Sequence, residues 1–380
     1  MKKSLPYGHQ WIEKCDIKEV AQILGSDWVT QGPKVEEFEK KVAKYCKAKY
    51  AVAVSSGTTA LHVAYYSAGL KEGDEVITTP LTFAATSSCL VFLGAKPVFV
   101  DINRETLNID PEEIEKKITK KTKAIAPVDF AGQPCNYDEI LKIAKKHNLL
   151  VIEDAAHALG SVYNGKRVGG ISDITILSFH PVKTITTGEG GMVLTNNKVF
   201  YERAKRFRNH GIVKYPQKGG WYYEIKEPAP NYRLTDIQCM LGICQLRKLE
   251  KFVTRRRQIV DIYNKAFKSV PEIRSIKEAG RVKSAWHIYP IQLALEKLSA
   301  GRKEIFERFQ KEGIGVQVHY LPLHLHSFYS NKFNYKKGDF PNAEDYYERA
   351  ITLPLFPKMK KSDIDFVIKT AKKIINNYKK

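Results

Sequence analysis

The feature that most constrains the fold is an alternation, between Tyr50 and Thr195, of short apolar runs with longer segments that carry apolar residues at helical spacing. The short runs are rich in β-branched residues, which favour strands. Parallel strands must be joined by a crossover, usually a helix, whereas antiparallel strands need only a turn. We therefore predict an α/β fold in which helices cover both faces of a mainly parallel sheet of about seven strands.

The same pattern gives the bounds of the predicted sheet. The seven predicted strands are Tyr50–Val54, Glu75–Thr78, Pro97–Asp101, Ala124–Val128, Leu149–Glu153, Ile174–Phe179 and Gly191–Thr195. After them, a helix is predicted to run without interruption over Thr235–Phe267, and a shorter α+β region follows with strands at His287–Leu293 and Gly315–His319. Residues 1–250 are thus predicted to form a large domain and residues 251–380 a small C-terminal α+β domain.

The last helix is predicted from a start signal and an apolar stripe. Ser362 and Asp365 have the spacing of a capping box, in which two side chains satisfy the free N–H groups of the first turn. Ile364, Val367 and Ala371 follow at helical spacing. The helix is therefore predicted to begin at Ser362.

Composition restricts the class of protein. The chain has 380 residues, of which 43% are hydrophobic and 27% charged, as is ordinary for a globular protein. It contains no run of about 18 apolar residues, so we predict no membrane contact through a spanning helix. Its six cysteines form no C-x-x-C pair, which favours free thiols in a reducing cytoplasm and no metal site.

The net charge of +21 could indicate a nucleic-acid partner. However, the lysines are dispersed among acidic residues on predicted helices, and the sequence carries no nucleic-acid-binding motif. We therefore predict no nucleic-acid partner. The excess charge instead favours small polyanionic ligands.

Polar residues follow several predicted strands at the point where each strand ends. Ser56, Phe83, Asp154, Ser178 and Lys183 all lie just past a strand. In an open α/β sheet, ligands bind at the carboxyl ends of the strands, so these side chains are expected to share one site. A lysine and an acid beside glycines suit a planar cofactor, which we interpret as pyridoxal 5'-phosphate (PLP) attached to Lys183. The alternative is a solvated loop lysine beside an ordinary glycine turn.

The segment Ser55–Thr59 precedes a predicted helix and offers small hydroxyl residues and Gly57. Backbone N–H groups at a helix start bind anions well, so this segment is a candidate phosphate site, with Ser178 as a second hydroxyl. Simple capping of the helix by Ser or Thr explains the same residues.

The order of four motifs resembles one family. Ser56-Gly-Thr-Thr59, Glu153-Asp-Ala-Ala-His157, Ser178-x-x-x-x-Lys183 and Gly188-Glu-Gly-Gly191 together resemble the DegT/DnrJ/EryC1/StrS family of nucleotide-sugar aminotransferases. The resemblance runs from about Tyr7 to the last helix. It implies the PLP-dependent aminotransferase fold of type I, with PLP as cofactor and transamination as the reaction.

The resemblance also implies roles for particular residues. The catalytic pair would be Lys183 and Asp154, and the cofactor-binding set is Gly57, Thr58, Phe83, Asp154, His157, Ser178, Lys183 and Asn231. Asn231 would reach the PLP phosphate of a neighbouring subunit, which implies a homodimer; capping of the following helix is the other interpretation. Phe83 would lie against the pyridine ring, although a Phe more often packs in a core. Asp129 stands where related proteins often have His, and we leave it out of the site.

For the substrate, the resemblance implies contacts from Tyr7, Thr30, Gln31, His180 and Tyr320. The loop that contains Thr30 and Gln31 could equally be a plain helix–helix connection. The lysine loop looks most like the branch of the pseudaminic acid pathway that aminates C4 of UDP-4-keto-6-deoxy-N-acetylhexosamines, with glutamate as amino donor. Thr184 departs from the His or Asn expected there. A GDP-linked perosamine-type sugar, a C3-ketosugar and a non-catalytic regulatory role are the alternatives.

Overall fold

A seven-stranded sheet forms the centre of the protein in a computed structural model that describes residues 4–380. Met1, Lys2 and Lys3, at the start of the predicted large domain, lie outside the described residues. The strands are β1 Tyr50–Val54, β2 Glu75–Thr78, β3 Lys96–Phe99, β4 Thr122–Ala126, β5 Leu150–Asp154, β6 Val162–Tyr163, β7 Lys166–Arg167, β8 Ile174–Ser178, β9 Gly191–Thr195, β10 Ile212–Lys214, β11 Tyr223–Ile225, β12 Ile273–Ser275, β13 Val282–Lys283, β14 Tyr289–Leu293 and β15 Ala350–Leu353.

Helices connect and cover these strands. They are α1 Lys14–Leu24, α2 Pro33–Cys46, α3 Gly57–Ser67, α4 Ala85–Phe92, α5 Pro111–Ile114, α6 Tyr137–His147, α7 Lys198–Arg208, α8 Asp236–Leu246, α9 Leu249–Phe267, α10 Arg302–Lys311, α11 Ser327–Phe333, α12 Pro341–Arg349 and α13 Lys361–Asn377. No helix formed by residues 4–380 combines the length and hydrophobicity that crossing a lipid bilayer requires.

The sheet is mainly parallel, as predicted. Its strand order is β1-β9-β8-β5-β4-β2-β3. The strands β3, β2, β4, β5 and β8 pair in parallel, whereas β9 runs antiparallel to both β8 and β1. The carboxyl ends of six strands therefore meet at one edge of the sheet, and the site described below lies along this edge.

Burial on both faces explains the long apolar strands. Val52 and Val54 of β1 pack with α3, α4 and α7 on one face, whereas Ala51 and Ala53 pack with α2 and α8 on the other. Successive side chains of a strand point to opposite faces, so a strand covered on both sides must be apolar throughout.

The C-terminal part has a separate small sheet of order β12-β14-β15, which packs with α9, α10 and α13 in an apolar cluster. The boundary near residue 250 stays a prediction. The predicted strand Gly315–His319 is wrong, because Gly315 bonds to Leu5 and only Gln317 bridges to Thr352 of β15.

Two helix predictions also need correction. The helix predicted over Thr235–Phe267 is broken between α8 and α9. At the break, the Lys248 ammonium donates to the buried carboxylate of Asp16 on α1. The last helix begins at Lys361 rather than Ser362, because the Asp363 carboxylate accepts the Lys360 N–H at 2.9 Å. Both differences come from side-chain contacts that a periodic apolar pattern does not encode.

Candidate active site

A cavity of about 700 Å³ opens at the carboxyl edge of the sheet. Ten of the predicted site residues line it: Tyr7, Gly57, Thr58, Phe83, Asp154, His157, Ser178, His180, Lys183 and Tyr320. The strand ends that the sequence placed together are thus brought together by the fold.

Three predicted residues lie away from this cavity within the single chain. Thr30 forms a bridge to Thr235, and Gln31 borders a second groove beside Arg233. Asn231 bridges Asn209, also outside the cavity. The interpretation of Asn231 as a helix cap is wrong, because the Thr235 side chain caps α8 by accepting the N–H of Gln238.

Lys183 is positioned by the loop after β8. The loop folds back on itself through the N–H of Lys183, which donates to the His180 carbonyl at 2.9 Å, and the N–H of Phe179, which donates to the Gly190 carbonyl at 2.8 Å. Small residues are required here, since a Cβ on Gly191 would lie 2.2 Å from the Ser56 carbonyl oxygen. The loop therefore packs directly onto the start of α3.

Burial lowers the pKa of the Lys183 ammonium to about 8, and the negative charge of Asp154 partly opposes this effect. The Lys183 Nζ lies 3.5 Å from His287 Nε2. With this pKa a far larger fraction of the amine is neutral at pH 7 than in an ordinary lysine, which makes the amine a better nucleophile.

Asp154, only 5% exposed, ends β5 inside the cavity. Its Oδ2 accepts a hydrogen bond of 2.7 Å from the Thr86 hydroxyl, and its Oδ1 accepts one of 3.2 Å from the Ala156 N–H. Burial raises the pKa of the carboxyl group, whereas these hydrogen bonds and the charge of Lys183 lower it. Thr86 comes from α4 and was not predicted, because a Thr inside a helix carries no distinguishing sequence pattern.

The start of α3 forms a cradle opposite Ser178. Ser56 caps the helix by accepting the N–H of Thr59, so the capping interpretation holds. The N–H groups of the first helical residues, Gly57 and Thr58, have no partner within the helix, and both residues line the cavity. A Cβ on Gly57 would lie 2.8 Å from Ser178 Cβ and 2.9 Å from its Oγ, so glycine is what lets the Ser178 side chain come this close to the start of α3.

A group of buried histidines completes the wall of the cavity. The rings of His157 and His287 are 4.3 Å apart, and His157 Nε2 lies 3.2 Å from the Tyr320 hydroxyl. Burial lowers the pKa of His157 and His287 well below the usual value, and that of His319 to about 3. The imidazoles are therefore neutral, polar groups around the amine. His287 and His319 were missed because their partners lie far away in the sequence.

Phe83 does not pack in a core. Its side chain is 61% exposed and its ring lies 6.1 Å from that of Tyr320 at the cavity. The core-packing interpretation is therefore wrong. An exposed aromatic ring at a cavity offers a flat surface for a planar ligand.

These features fit PLP. A helix start with free N–H groups and an opposing Ser178 hydroxyl suits a phosphate, Asp154 suits a protonated ring nitrogen, and Lys183 suits covalent attachment. Among residues 4–380, no three His, Cys, Asp or Glu side chains are grouped so that they could hold a metal ion.

Comparison with known proteins agrees with this geometry. The model of the DegT/DnrJ/EryC1/StrS aminotransferase family matches residues 10–372. The chain is 41% identical to the UDP-4-amino-4,6-dideoxy-N-acetyl-beta-L-altrosamine transaminase of Campylobacter jejuni, over 99% of each chain. It superposes with a TM-score of 0.94 on Helicobacter pylori PseC, an aminotransferase of pseudaminic acid biosynthesis, at 34% identity, covering 99% of this chain and 100% of that chain.

A third comparison concerns the cofactor. A sugar-aminotransferase structure from Streptococcus pneumoniae, solved in its PLP form, superposes with a TM-score of 0.93 at 34% identity. The match covers 98% of this chain and 99% of that chain. A fold that is shared over almost the whole length therefore accommodates PLP in a relative.

Proposed function

The chain belongs to the DegT/DnrJ/EryC1/StrS aminotransferase family, and from that premise we propose that it transfers an amino group from glutamate to C4 of a UDP-4-keto-6-deoxy-N-acetylhexosamine. It is a PLP-dependent sugar aminotransferase of fold type I, so the family, the cofactor and the enzyme class predicted from the motifs are confirmed. The particular sugar and the amino donor are our proposal.

The observation that carries the reaction type is the arrangement of Lys183 and Asp154 on one cavity with the start of α3. We assign Lys183 and Asp154 as catalytic residues. The residues proposed to hold PLP are Gly57, Thr58, Phe83, Asp154, His157, Ser178 and Lys183, with Asn231 from a neighbouring subunit. When bound, PLP supplies an electron sink for exchange of the amino group.

Each of these residues has a task that follows from its position. Asp154 would hold the proton on the ring nitrogen, because a carboxylate stabilises a neighbouring positive charge. Lys183 would hold the cofactor through its Nζ. Once free, that Nζ would take the proton from the substrate carbon that bears the nitrogen and would deliver a proton when the amino group is passed on. The imidazole of His287 beside Nζ is neutral, because burial lowers its pKa, so it adds no second positive charge there.

We propose that the sugar nucleotide contacts His180, Tyr7 and Tyr320, which line the cavity. The net charge of +21 favours capture of a diphosphate. Specificity for the sugar would come from polar groups that the wrong sugar leaves unpaired. The similarity to the Campylobacter jejuni transaminase supports the choice of a UDP-linked 4-ketosugar.

We further propose a homodimer in which Asn231, Thr30 and Gln31 complete the site of the partner. These residues lie outside the cavity of their own chain. Nearby, the hairpin β10–β11 exposes large apolar side chains, with Trp221 at 81% and Ile225 at 64% exposure, as expected of a surface that another chain covers. The six unpaired thiols suit the reducing cytoplasm, where we place the enzyme.

The test supplies the purified enzyme with glutamate and either a UDP-4-keto-6-deoxy-N-acetylhexosamine or GDP-4-keto-6-deoxymannose. Nuclear magnetic resonance then locates the nitrogen in the product. Amination at C4 of the UDP sugar is the expected result. Preference for the GDP sugar, nitrogen at C3 or absence of turnover with PLP bound would contradict the proposal.

A further inference from the structure

Two buried carboxyl groups, those of Asp129 and Glu153, lie behind the strand end that carries Asp154. Both side chains are fully buried, at 0% exposure. Glu153 precedes Asp154 on β5, so its side chain points to the opposite face of the sheet. Asp129 follows the end of β4, where its N–H donates to the Asp154 carbonyl at 3.1 Å. The two acids thus join the ends of two neighbouring strands at the level of Asp154.

Each carboxyl group uses one oxygen to accept two hydrogen bonds. Asp129 Oδ1 accepts the Cys135 N–H at 2.9 Å and the Tyr137 hydroxyl at 2.8 Å. Glu153 Oε2 accepts the hydroxyls of Thr175 at 2.6 Å and Ser172 at 3.0 Å.

The other two oxygens, Asp129 Oδ2 and Glu153 Oε1, are buried and receive no hydrogen bond from any of the described donors. The two carboxyl groups lie close enough to act on each other by charge, and by a hydrogen bond once one of them is protonated. If both were ionised, two acceptors and two negative charges would meet without a proton between them, at a high cost in a buried site. One proton between the two free oxygens satisfies both.

Among residues 4–380, the titratable groups that face the pair carry no positive charge. Tyr137 of α6 and Cys135 face Asp129, and Cys46 of α2 interacts electrostatically with Glu153. Burial raises the pKa of all three groups, so they are neutral. Arg167 of β7 interacts electrostatically with Cys46, but its ion pair is with Glu250, at 2.8 Å, and not with either acid of the pair.

We propose that Asp129 and Glu153 share one proton, and that this carboxylic acid–carboxylate pair is a positioning device for Asp154. The proton lies on Asp129 and is donated to Glu153 Oε1. Burial and the charge of Glu153 raise the pKa of Asp129. Burial raises the pKa of Glu153 as well, but hydrogen bonds from Thr175, Asp129 and Ser172 oppose this effect.

The link to Asp154 runs through the backbone. The Asp154 N–H donates to the Pro127 carbonyl at 2.9 Å, and the Asp154 carbonyl accepts from Asp129. Val128, between these two residues of the β4 end, lines the cavity. A shared proton that holds Asp129 and Glu153 together therefore also fixes the position of the Asp154 carboxylate. This part of the inference rests on the proposed role of Asp154 beside the cofactor nitrogen.

Infrared spectroscopy of the PLP-loaded enzyme tests the shared proton without reference to activity. The wild type should show, at pH 7, the carbonyl stretch of a protonated carboxylic acid. Difference spectra should show that Asp129→Asn and Glu153→Gln each remove this band, because an amide can donate in place of the acid. The control Asp138→Asn changes an exposed carboxylate of α6 and should retain the band. A band that survives both substitutions, or is absent from the wild type, would overturn the proposal.

Proton linkage gives a second, independent measurement. A raised pKa means that the native state binds one proton more than the unfolded state above about pH 4, so stability falls as the pH rises towards the native pKa. Asp129→Asn removes this proton. From pH 5 to pH 7 the ratio of the unfolding equilibrium constants, wild type over Asp129→Asn, should therefore rise about tenfold per pH unit. A ratio that stays constant would contradict a shared proton.

The positioning role is tested by the absorption spectrum of bound PLP. Asp129→Ala leaves Glu153 unpaired and should shift the pH midpoint of the spectral transition by about one unit, because Asp154 moves relative to the ring nitrogen. Asp129→Asn should restore the wild-type midpoint. If the pair is only structural, Asp129→Ala will lower the stability and leave the midpoint unmoved. That result would overturn the positioning role. If Asp154→Asn itself leaves the midpoint unmoved, the assigned role of Asp154 is wrong. The infrared test of the shared proton does not depend on that role. Should Asp129→Ala not fold, Glu153→Ala, which leaves Asp129 unpaired, serves in its place.

Discussion

Replacing Asp154 by Asn should slow the half-reaction with glutamate while PLP remains bound. The substitution keeps the shape of the side chain and removes its charge. Thr86 can reverse its role and accept from the new amide, because the Thr82 hydroxyl lies 2.8 Å from Thr86 Oγ1 and can donate to it. The local fold should therefore survive, and the effect should fall on the chemistry.

The magnitude follows from the burial of the group. A hydrogen bond between charged partners contributes about 1.5–3 kcal/mol, more than one between neutral groups. Asp154 is only 5% exposed, so screening by water is weak and the upper part of this range applies. A loss of about 2.7 kcal/mol in transition-state stabilisation corresponds to a hundredfold slower reaction.

Stopped-flow absorbance of the PLP-loaded enzyme mixed with glutamate measures this rate directly. The variant Asp138→Asn, which neutralises an exposed carboxylate of α6, is the matched control and should react at the wild-type rate. A half-reaction of Asp154→Asn close to wild type, with PLP bound, would refute the reasoning and reduce Asp154 to a buried strand-end residue.

Three further predictions concern Lys183 and the dimer. Borohydride reduction of PLP-saturated protein should fix a pyridoxyl group on the peptide that contains Lys183; a tag on another lysine would contradict the assignment. Capture of PLP by the apo-protein, followed by absorbance, should accelerate as the pH rises through about 8, because the pKa of Lys183 is lowered to that value and only the neutral amine attacks. A midpoint near the ordinary lysine value would show that burial does not tune this amine. Mixing Lys183→Ala with Asn231→Ala chains should give more activity than the sum of the parents, since some hybrid sites regain every group; an activity equal to that sum, or an active monomer, would rule out composite sites.

Much of the fold could be predicted because its signals are local. The β-branched runs and amphipathic segments between Tyr50 and Thr195 encode strands and helices directly, and a right-handed βα crossover leaves few ways to arrange them. Since parallel strands all end at one edge, the sequence also placed Asp154, Ser178 and Lys183 in one site.

The sequence alone did not locate breaks that depend on tertiary contacts. At the interruption between α8 and α9 Lys248 contacts Asp16, and Gly315 bonds to Leu5. Both of these partners lie far away in the chain. The loop before Pro230 holds the hairpin β10–β11, whose strands of three residues each are too short to show a period.

The environment of the site was likewise decided by the tertiary structure. Residue types and spacing determined that an amine and an acid would share a cavity, but the lowered pKa of Lys183 depends on its burial beside His287, more than a hundred residues away. The support of Asp154 by Thr86, and the interaction between the carboxyl groups of Asp129 and Glu153, also join residues from separate elements. Sequence patterns specify which groups stand at the strand ends, whereas desolvation and hydrogen bonding, which set the protonation of those groups, exist only once the distant segments have packed around them.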